Sequence, residues 1–374
     1  MFFILGISIA LFLELLLLVK KNKSRADKIL IIWIFLLFVH QLINYFIFSG
    51  EIYSFPHWLG VQFPMPILYG VLLFFYVKEI TGNKLKKNWT IVLHLLPALS
   101  SIIVAIPFYI LSGTEKIYVY QQEGIGFEWY IIYQKILIVF FGLMYSIWAL
   151  IIIKKHQVKI QQNFSNTDKK ELQWLRYLSI GFGVIWIIVM FFENRIIFSA
   201  VVVLVLFMGY FGTNQLNVFH SNTAPEQIID DTITVKTKDN SSKQKPKNNT
   251  VTEKYAKSGL NEEMASEIYA NLLRLMKDST SYKNEELTLV ELSRILQVHP
   301  NHLSQVINEM EGKNFYNYIN SLRINEFINL ASLPENKKYT IISLAYDCGF
   351  SSKSTFNKQF KLHTGKTPTE FFKT

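Results

Sequence analysis

Residues 348–372 read CGFSSKSTFNKQFKLHTGKTPTEFF. A short helix is expected to end near Cys348, to turn at Gly349, where glycine accepts positive φ, and to give way to a second helix capped by Ser351 or Ser352. In that second helix Phe356 and Phe360 stand one turn apart and face inward. Lys353, Ser354, Asn357, Lys358 and Lys361 then fall on the outer side, an array of hydrogen-bond donors and positive charge. Gly365 stops the helix. Thr367, Pro368 and Glu370 make a capping box with proline at the first helical position, and Phe371 and Phe372 can pack back. The spacing is that of a helix-turn-helix.

Upstream the same unit occurs again. Met264, Ile268, Leu272, Leu275 and Met276 recur at helical spacing from Asn261 to about Lys277 and form a first amphipathic helix. Thr288 and Glu291 then form a capping box, with Leu287 and Leu292 as its hydrophobic staple. After the turn Gln297-Val298-His299, Pro300 opens another helix that turns Leu303, Val306 and Ile307 inward and Asn301, His302, Gln305 and Asn308 outward. Thr288, Leu292 and Ser293 match Thr340, Leu344 and Ala345 at a separation of 52 residues; Leu303, Ile307 and Gly312 match Phe356, Phe360 and Gly365 at 53. The unit is therefore duplicated, at about 288–310 and 340–363, with one residue inserted at the second turn. Between the copies, Asn314 to about Ser332 reads as a long helix that sets their separation. Two such helices held one turn of DNA apart would enter successive major grooves from one side.

The net charge of +10 is not by itself a sign of nucleic acid. Residues 1–213 carry 18 Lys and Arg against 10 Asp and Glu, and 257–374 carry 14 against 13, so most of the excess lies outside the duplicated region. The local patch is more telling: residues 351–374 hold five Lys and one Glu. The single cysteine, Cys348, excludes an intrachain disulfide framework and a cysteine-rich zinc site. His299, His302 and His363 have no carboxylate or thiol at matching helical spacing. No metal or cofactor is implied.

Residues 1–213 hold nearly all the long apolar runs. Seven are expected to cross a bilayer as helices, at roughly 2–19, 29–48, 61–80, 90–111, 130–153, 174–192 and 196–213. The first lacks the basic start and the small-residue cleavage site of a signal peptide, and reads as an uncleaved anchor. Basic residues cluster after the first, third and fifth runs (Lys20, Lys21, Lys23, Arg25 and Lys28; Lys78, Lys84, Lys86 and Lys87; Lys154, Lys155, Lys159, Lys169, Lys170 and Arg176), which places those loops in the cytoplasm. Seven spans then put the N-terminus outside and the C-terminal region inside, in a multi-pass protein of the inner (cytoplasmic) membrane. Of the polar residues within the runs, His40, Gln41, Asn44, His94, Gln134 and Lys135 read as helix-bonding or interfacial groups. Glu14, a carboxylate deep in a span that needs a partner, is kept as a sensing candidate. The aromatics of loops 49–60 and 112–129 read either as an outward-facing pocket or as an interfacial belt. No HExxH or GxSxG motif recommends an enzyme.

Residues 214–256, with the run SSKQKPKNNT, are too polar to bury a core and read as a disordered cytoplasmic linker. The whole chain is thus expected to be all-α: a seven-helix transmembrane bundle, a linker, and a homeodomain-like double helix-turn-helix domain over 257–374.

The segment 261–374 resembles the DNA-binding domain of AraC/XylS-type transcriptional regulators. The residues that carry the resemblance are the two helix-turn-helix units, Arg323-Ile324 in the connecting helix, Ala345, Gly349-Phe350-Ser351, Phe356, Phe360-Lys361, Gly365 and Thr367-Pro368. The chain departs from the usual pattern at Lys358, where arginine is common, and at Phe372, where tyrosine is. A lysine keeps a phosphate contact and loses bidentate base recognition. The resemblance implies sequence-specific binding of double-stranded promoter DNA and control of transcription, with RNA polymerase as a further partner, the lipid bilayer as anchor, and a signal ligand whose class the sequence leaves open. Asn301, His302, Gln305, Ser354 and Asn357 suit base edges; Arg323, Lys353, Lys358 and Lys361 suit phosphates, although Arg323 equally suits a structural ion pair. Two rival readings stand beside this one-component sensor. In one the bundle is a passive tether and a protease releases the domain; in the other the chain is a membrane transporter or receptor whose soluble domain is a protein-interaction module.

Overall fold

The computed structural model describes residues 2–83, 88–168, 171–192, 194–216 and 260–372. Among these, every regular element is a helix, and the only β-pairing is an isolated bridge between Phe164 and Thr288. The chain divides into two compact units. One comprises Met1–Lys155 and Leu172–Glu226, the other His156–Glu171 and Gln227–Thr374. Nearly all of the linker expected at 214–256 lies outside the described residues.

In the first unit α1 (Phe2–Val19), α2 (Arg25–Ser49), α3 (Met65–Ile80), α4 (Asn88–Val104), the single turn α5 (Ile106–Tyr109), α6 (Gly113–Gln121), α7 (Glu128–Asn163), α8 (Gln173–Phe191) and α9 (Asn194–Leu216) follow in order, the end of α7 already belonging to the second unit. The expectation of seven spans is corrected. Among the described residues three helices, α2, α7 and α8, are long and apolar enough to cross a membrane. The other apolar stretches, Ile4–Val19, Trp89–Val104 and Ile196–Met208, are shorter, and α3 has 16 residues. At about 1.5 Å per residue, 16 residues rise about 24 Å, less than the roughly 30 Å of a hydrocarbon core.

The breaks have local causes. Run 61–80 begins with turns up to Pro64, so its helix starts only at Met65. Run 90–111 is cut after Val104, and Pro107, which has no N–H to give a continuing helix, sits in the separate turn α5. The outward placement of the N-terminus depends on the count of seven and loses that support.

The core of this unit is aromatic. Trp33, Phe74, Tyr145, Phe182 and Trp186 are buried together, and Gly142 is bare because a Cβ there would stand 2.5 Å from the Trp186 ring. Three of the polar residues of the apolar runs join helices, whereas Asn44 Nδ2 donates within α2 to His40 O (2.8 Å) and the buried Gln41 amide has no hydrogen-bond partner among the described residues. His40 on α2 is hydrogen-bonded to the Tyr69 hydroxyl on α3 (2.8 Å), and His94 on α4 to the Tyr145 hydroxyl on α7 (2.8 Å). The Ser101 hydroxyl on α4 donates to Gln134 Oε1 on α7 (2.7 Å). Glu14 is buried, with its Oε2 lacking a hydrogen-bond partner among the described residues, and Lys135 is exposed. The loop aromatics divide. Phe55, Trp58, Tyr118 and Trp129 are exposed, as in a belt, whereas Tyr53, Tyr120 and Phe127 pack around Phe108 and Val119.

The second unit is built on α10 (Glu262–Asp278), α11 (Leu289–Ile295), α12 (Pro300–Glu311), α13 (Phe315–Ser332), α14 (Ile341–Asp347), α15 (Lys353–Thr364) and the one-turn α16 (Pro368–Phe371). It has two apolar cores that share α13. The first gathers Ile268, Leu272, Leu292, Leu303, Val306, Ile307, Phe315 and Ile319; the second gathers Ile324, Phe327, Leu344, Cys348, Phe350, Phe356 and Phe360. A helix with apolar residues on both sides ties the two halves into one body.

Candidate nucleic-acid interface

The duplication is carried through to the hydrogen bonds. Thr288 caps α11 by accepting from the Glu291 N–H, and Thr340 caps α14 by accepting from the Ser343 N–H. Each first helix ends in a residue at positive φ, Gln297 (57°) and Gly349 (93°). The turn is closed the same way in both copies: Val298 N–H donates to Ser293 O (2.9 Å) and Phe350 N–H to Ala345 O (3.2 Å). The matching caps of the second helices are His299 and Ser352, so the inserted residue is Ser351. Gly312 (φ 63°) and Gly365 (φ 77°) then end α12 and α15 in the left-handed region.

These turns fix what α12 and α15 show to the outside. On α12 Leu303, Val306 and Ile307 are buried, Asn301 is exposed, and His302 and Gln305 are half-buried. Gln305 Nε2 donates to Glu309 Oε1 (3.1 Å), so its amide is tethered along its own helix. On α15 Phe356 and Phe360 are buried; Lys353, Ser354, Lys358 and Lys361 are exposed and Asn357 is half-buried. The Ser354 and Ser352 hydroxyls are hydrogen-bonded to one another (3.1 Å). Gln359 is on the inner side of α15 and buried. The outer face of α15 is therefore basic and polar, the chemistry that pairs with phosphate and base edges.

Arg323 stands apart from this face. It is 1% exposed, and all five of its N–H groups are spent inside the unit. Nε donates to Tyr282 O (2.7 Å), Nη1 to Ser165 O (3.3 Å) and Asn320 Oδ1 (3.2 Å), and Nη2 to Ser165 Oγ (3.0 Å) and Asn284 O (2.8 Å). Burial lowers the guanidinium to about 10. The phosphate role expected of it has no support in this geometry. Nor is it half of an ion pair, since its acceptors are carbonyls, an amide and a hydroxyl.

One contributor to this unit carries no motif or periodicity. Residues 164–168, far upstream, reach the start of α15, where the Ser351 hydroxyl donates to Asp168 Oδ2 (2.9 Å) and the Thr355 hydroxyl to Asp168 Oδ1. Cys348 is buried, and burial pushes its thiol up to about 12, which suits a core residue rather than a reactive one. Among the described residues no group of three or more His, Cys, Asp or Glu is placed to hold a metal ion.

Comparison with known proteins bears on this unit alone. The helix-turn-helix domain family matches residues 292–374. An uncharacterized HTH-type transcriptional regulator of Staphylococcus aureus (strain COL) is 34% identical over 89 residues, 24% of this chain and 11% of that protein. The uncharacterized HTH-type transcriptional regulator YobQ of Bacillus subtilis (strain 168) is 30% identical over 109 residues, 29% of this chain and 42% of that protein. The chain thus spans less than half the length of these curated relatives. A solved structure of a protein of unknown function from Listeria innocua is 27% identical and covers 28% of this chain and 95% of its own, at a TM-score of 0.24. Over these residues the chain carries a domain like that of the HTH-type transcriptional regulators.

Proposed function

We propose that the chain is a membrane-anchored transcriptional regulator of the AraC/XylS type, which binds double-stranded promoter DNA through α12 and α15. The observation that carries this reading is the duplicated turn, which buries the same positions twice and leaves two polar helix faces outward. Asn301, His302, Gln305, Ser354 and Asn357 are assigned to base edges, and Lys353, Lys358 and Lys361 to phosphates. Residues 1–213, apart from His156–Glu171 of the second unit, form the anchoring part, 214–256 the linker and 257–374 the DNA-binding part. The basic end of α7, with Lys154, Lys155 and Lys159, lies on the cytoplasmic side, as does the DNA-binding domain.

A sensing role for the apolar half has one observation in its favour. A cavity of about 330 Å³ is lined by His40, Asn44, Gln62, Tyr120, Gln134 and Trp186 among others. Its size and mixed lining suit a small amphiphilic molecule. The lining includes the Gln62 amide, whose Nε2 donates to the Tyr120 hydroxyl (2.6 Å) while its Oε1 is buried without a partner among the described residues.

Cells expressing the tagged full chain test the reading. After cross-linking and separation of membranes, the expected result is a set of discrete promoter fragments recovered with full-length protein in the membrane fraction. Recovery of DNA only with a shorter soluble fragment would favour proteolytic release; recovery of no defined fragments would favour an interaction module.

A further inference from the structure

The stretch Phe164–Asp168 follows directly on α7 and is held by the DNA-binding unit at three levels. At its start it joins the backbone: Phe164 bridges to Thr288, and the Ser165 N–H donates to Leu287 O (3.1 Å). In the middle it completes a buried cation. Ser165 is 1% exposed and supplies two of the five acceptors of the Arg323 guanidinium, while its carbonyl also accepts from Asn320 Nδ2 (3.2 Å). Thr167 is also 1% exposed, and its hydroxyl donates to Glu171 Oε1 (2.7 Å). At its end the Asp168 carboxylate accepts from Ser351 and Thr355, the hydroxyls on either side of the Ser352 cap of α15.

This is a seat, not a passing contact. A buried guanidinium needs every N–H paired, and without Ser165 two of them have no protein acceptor. The far end matters for DNA. The first turn of a recognition helix meets the base edges and the flanking phosphates, and hydroxyls and N–H groups at a helix start suit an anion. Asp168 already puts an anion there, and a carboxylate beside a DNA phosphate is repelled.

We propose that Phe164–Asp168 is a built-in ligand of the DNA-binding unit whose seat, over Arg323 and the start of α15, excludes duplex DNA from that helix. It rests on the reading of α15 as a DNA-binding helix. Because the segment is continuous with α7, a change in the apolar half reaches α15 by pulling this ligand out of its seat or pressing it in.

The test uses the full chain in lipid nanodiscs. With a mixed-sequence duplex at low salt, Asp168→Ala, at an exposed position, is expected to bind about tenfold more tightly than the parent, within the usual range of coupling between two ligands. Loss of any acidic group favours DNA slightly, so a second arm is needed. In the pair Asp168→Cys with Thr355→Cys, treated with a mild thiol oxidant, a disulfide is expected to form without DNA, to form far more slowly with saturating duplex, and to abolish DNA binding until it is reduced. Failure to cross-link without DNA, or a cross-linked chain that binds duplex as well as the reduced one, would overturn the proposal. If the cross-link forms but no variant binds duplex in either state, the regulator reading falls and takes the competition with it.

Discussion

Gly349 occupies a position that two separate constraints close to any other residue. Its φ is 93°, and a Cβ there would stand 2.5 Å from the Lys283 carbonyl oxygen. Gly312, by contrast, has φ 63° with nothing within 4 Å of a Cβ. Gly312→Ala is expected to cost about 1–2 kcal/mol, the strain of the left-handed backbone alone. Gly349→Ala adds a backbone clash and is expected to cost several-fold more, deprotecting the amides of α14 and α15 in hydrogen exchange while α10 stays protected. Equal effects of the two would show that the approach to Lys283 is not what fixes the turn. Gly349 was legible from its place after Cys348, and its closeness to Lys283 was not, because that contact joins residues 66 apart through the packing of α13. Arg323 teaches the same lesson. Its residue type suits phosphate, but the side chain is consumed by carbonyls that only the folded unit brings together.

At the scale of elements, α12 and α15 share a frame and differ in charge. The outer face of α12 offers Asn301, His302 and Gln305, whereas α15 offers Lys353, Lys358 and Lys361 beside Asn357. On the proposed reading, Asn357→Ala or Asn301→Ala relaxes the base preference at one position by about 1–3 kcal/mol. Lys361→Ala weakens binding to all sequences and reduces the slope of log affinity against log salt by about 0.9. Binding titrations against matched and mismatched duplexes over a salt series separate the two. A uniform loss in both classes would contradict the assignment of reading and positioning residues. These helices were readable because burial of Leu303, Ile307, Phe356 and Phe360 at one-turn spacing leaves few other folds for the segment. The apolar half was less so. Hydropathy shows which stretches avoid water but not where a helix starts or stops, so the run at 61–80 begins before the helix Met65–Ile80 and the run at 90–111 continues past the helix Asn88–Val104. Residues 164–168 gave no warning at all, being short, polar and without a motif.

The whole molecule combines an apolar unit, with α2, α7 and α8 long enough to span a bilayer, and a helix-turn-helix unit of the transcriptional-regulator kind. One helix, Glu128–Asn163, starts in the first and ends in the second. Whether the second unit reads a defined DNA sequence is decided by selection of genomic fragments by the full chain in nanodiscs, with competitor DNA at physiological salt. The Asp168→Ala form should be selected in parallel, since it removes the carboxylate from the start of α15. The expected result is one motif of two half-sites about ten base pairs apart, the distance between successive major grooves on one face of the duplex. Enrichment of no motif by either form would contradict the DNA-binding reading.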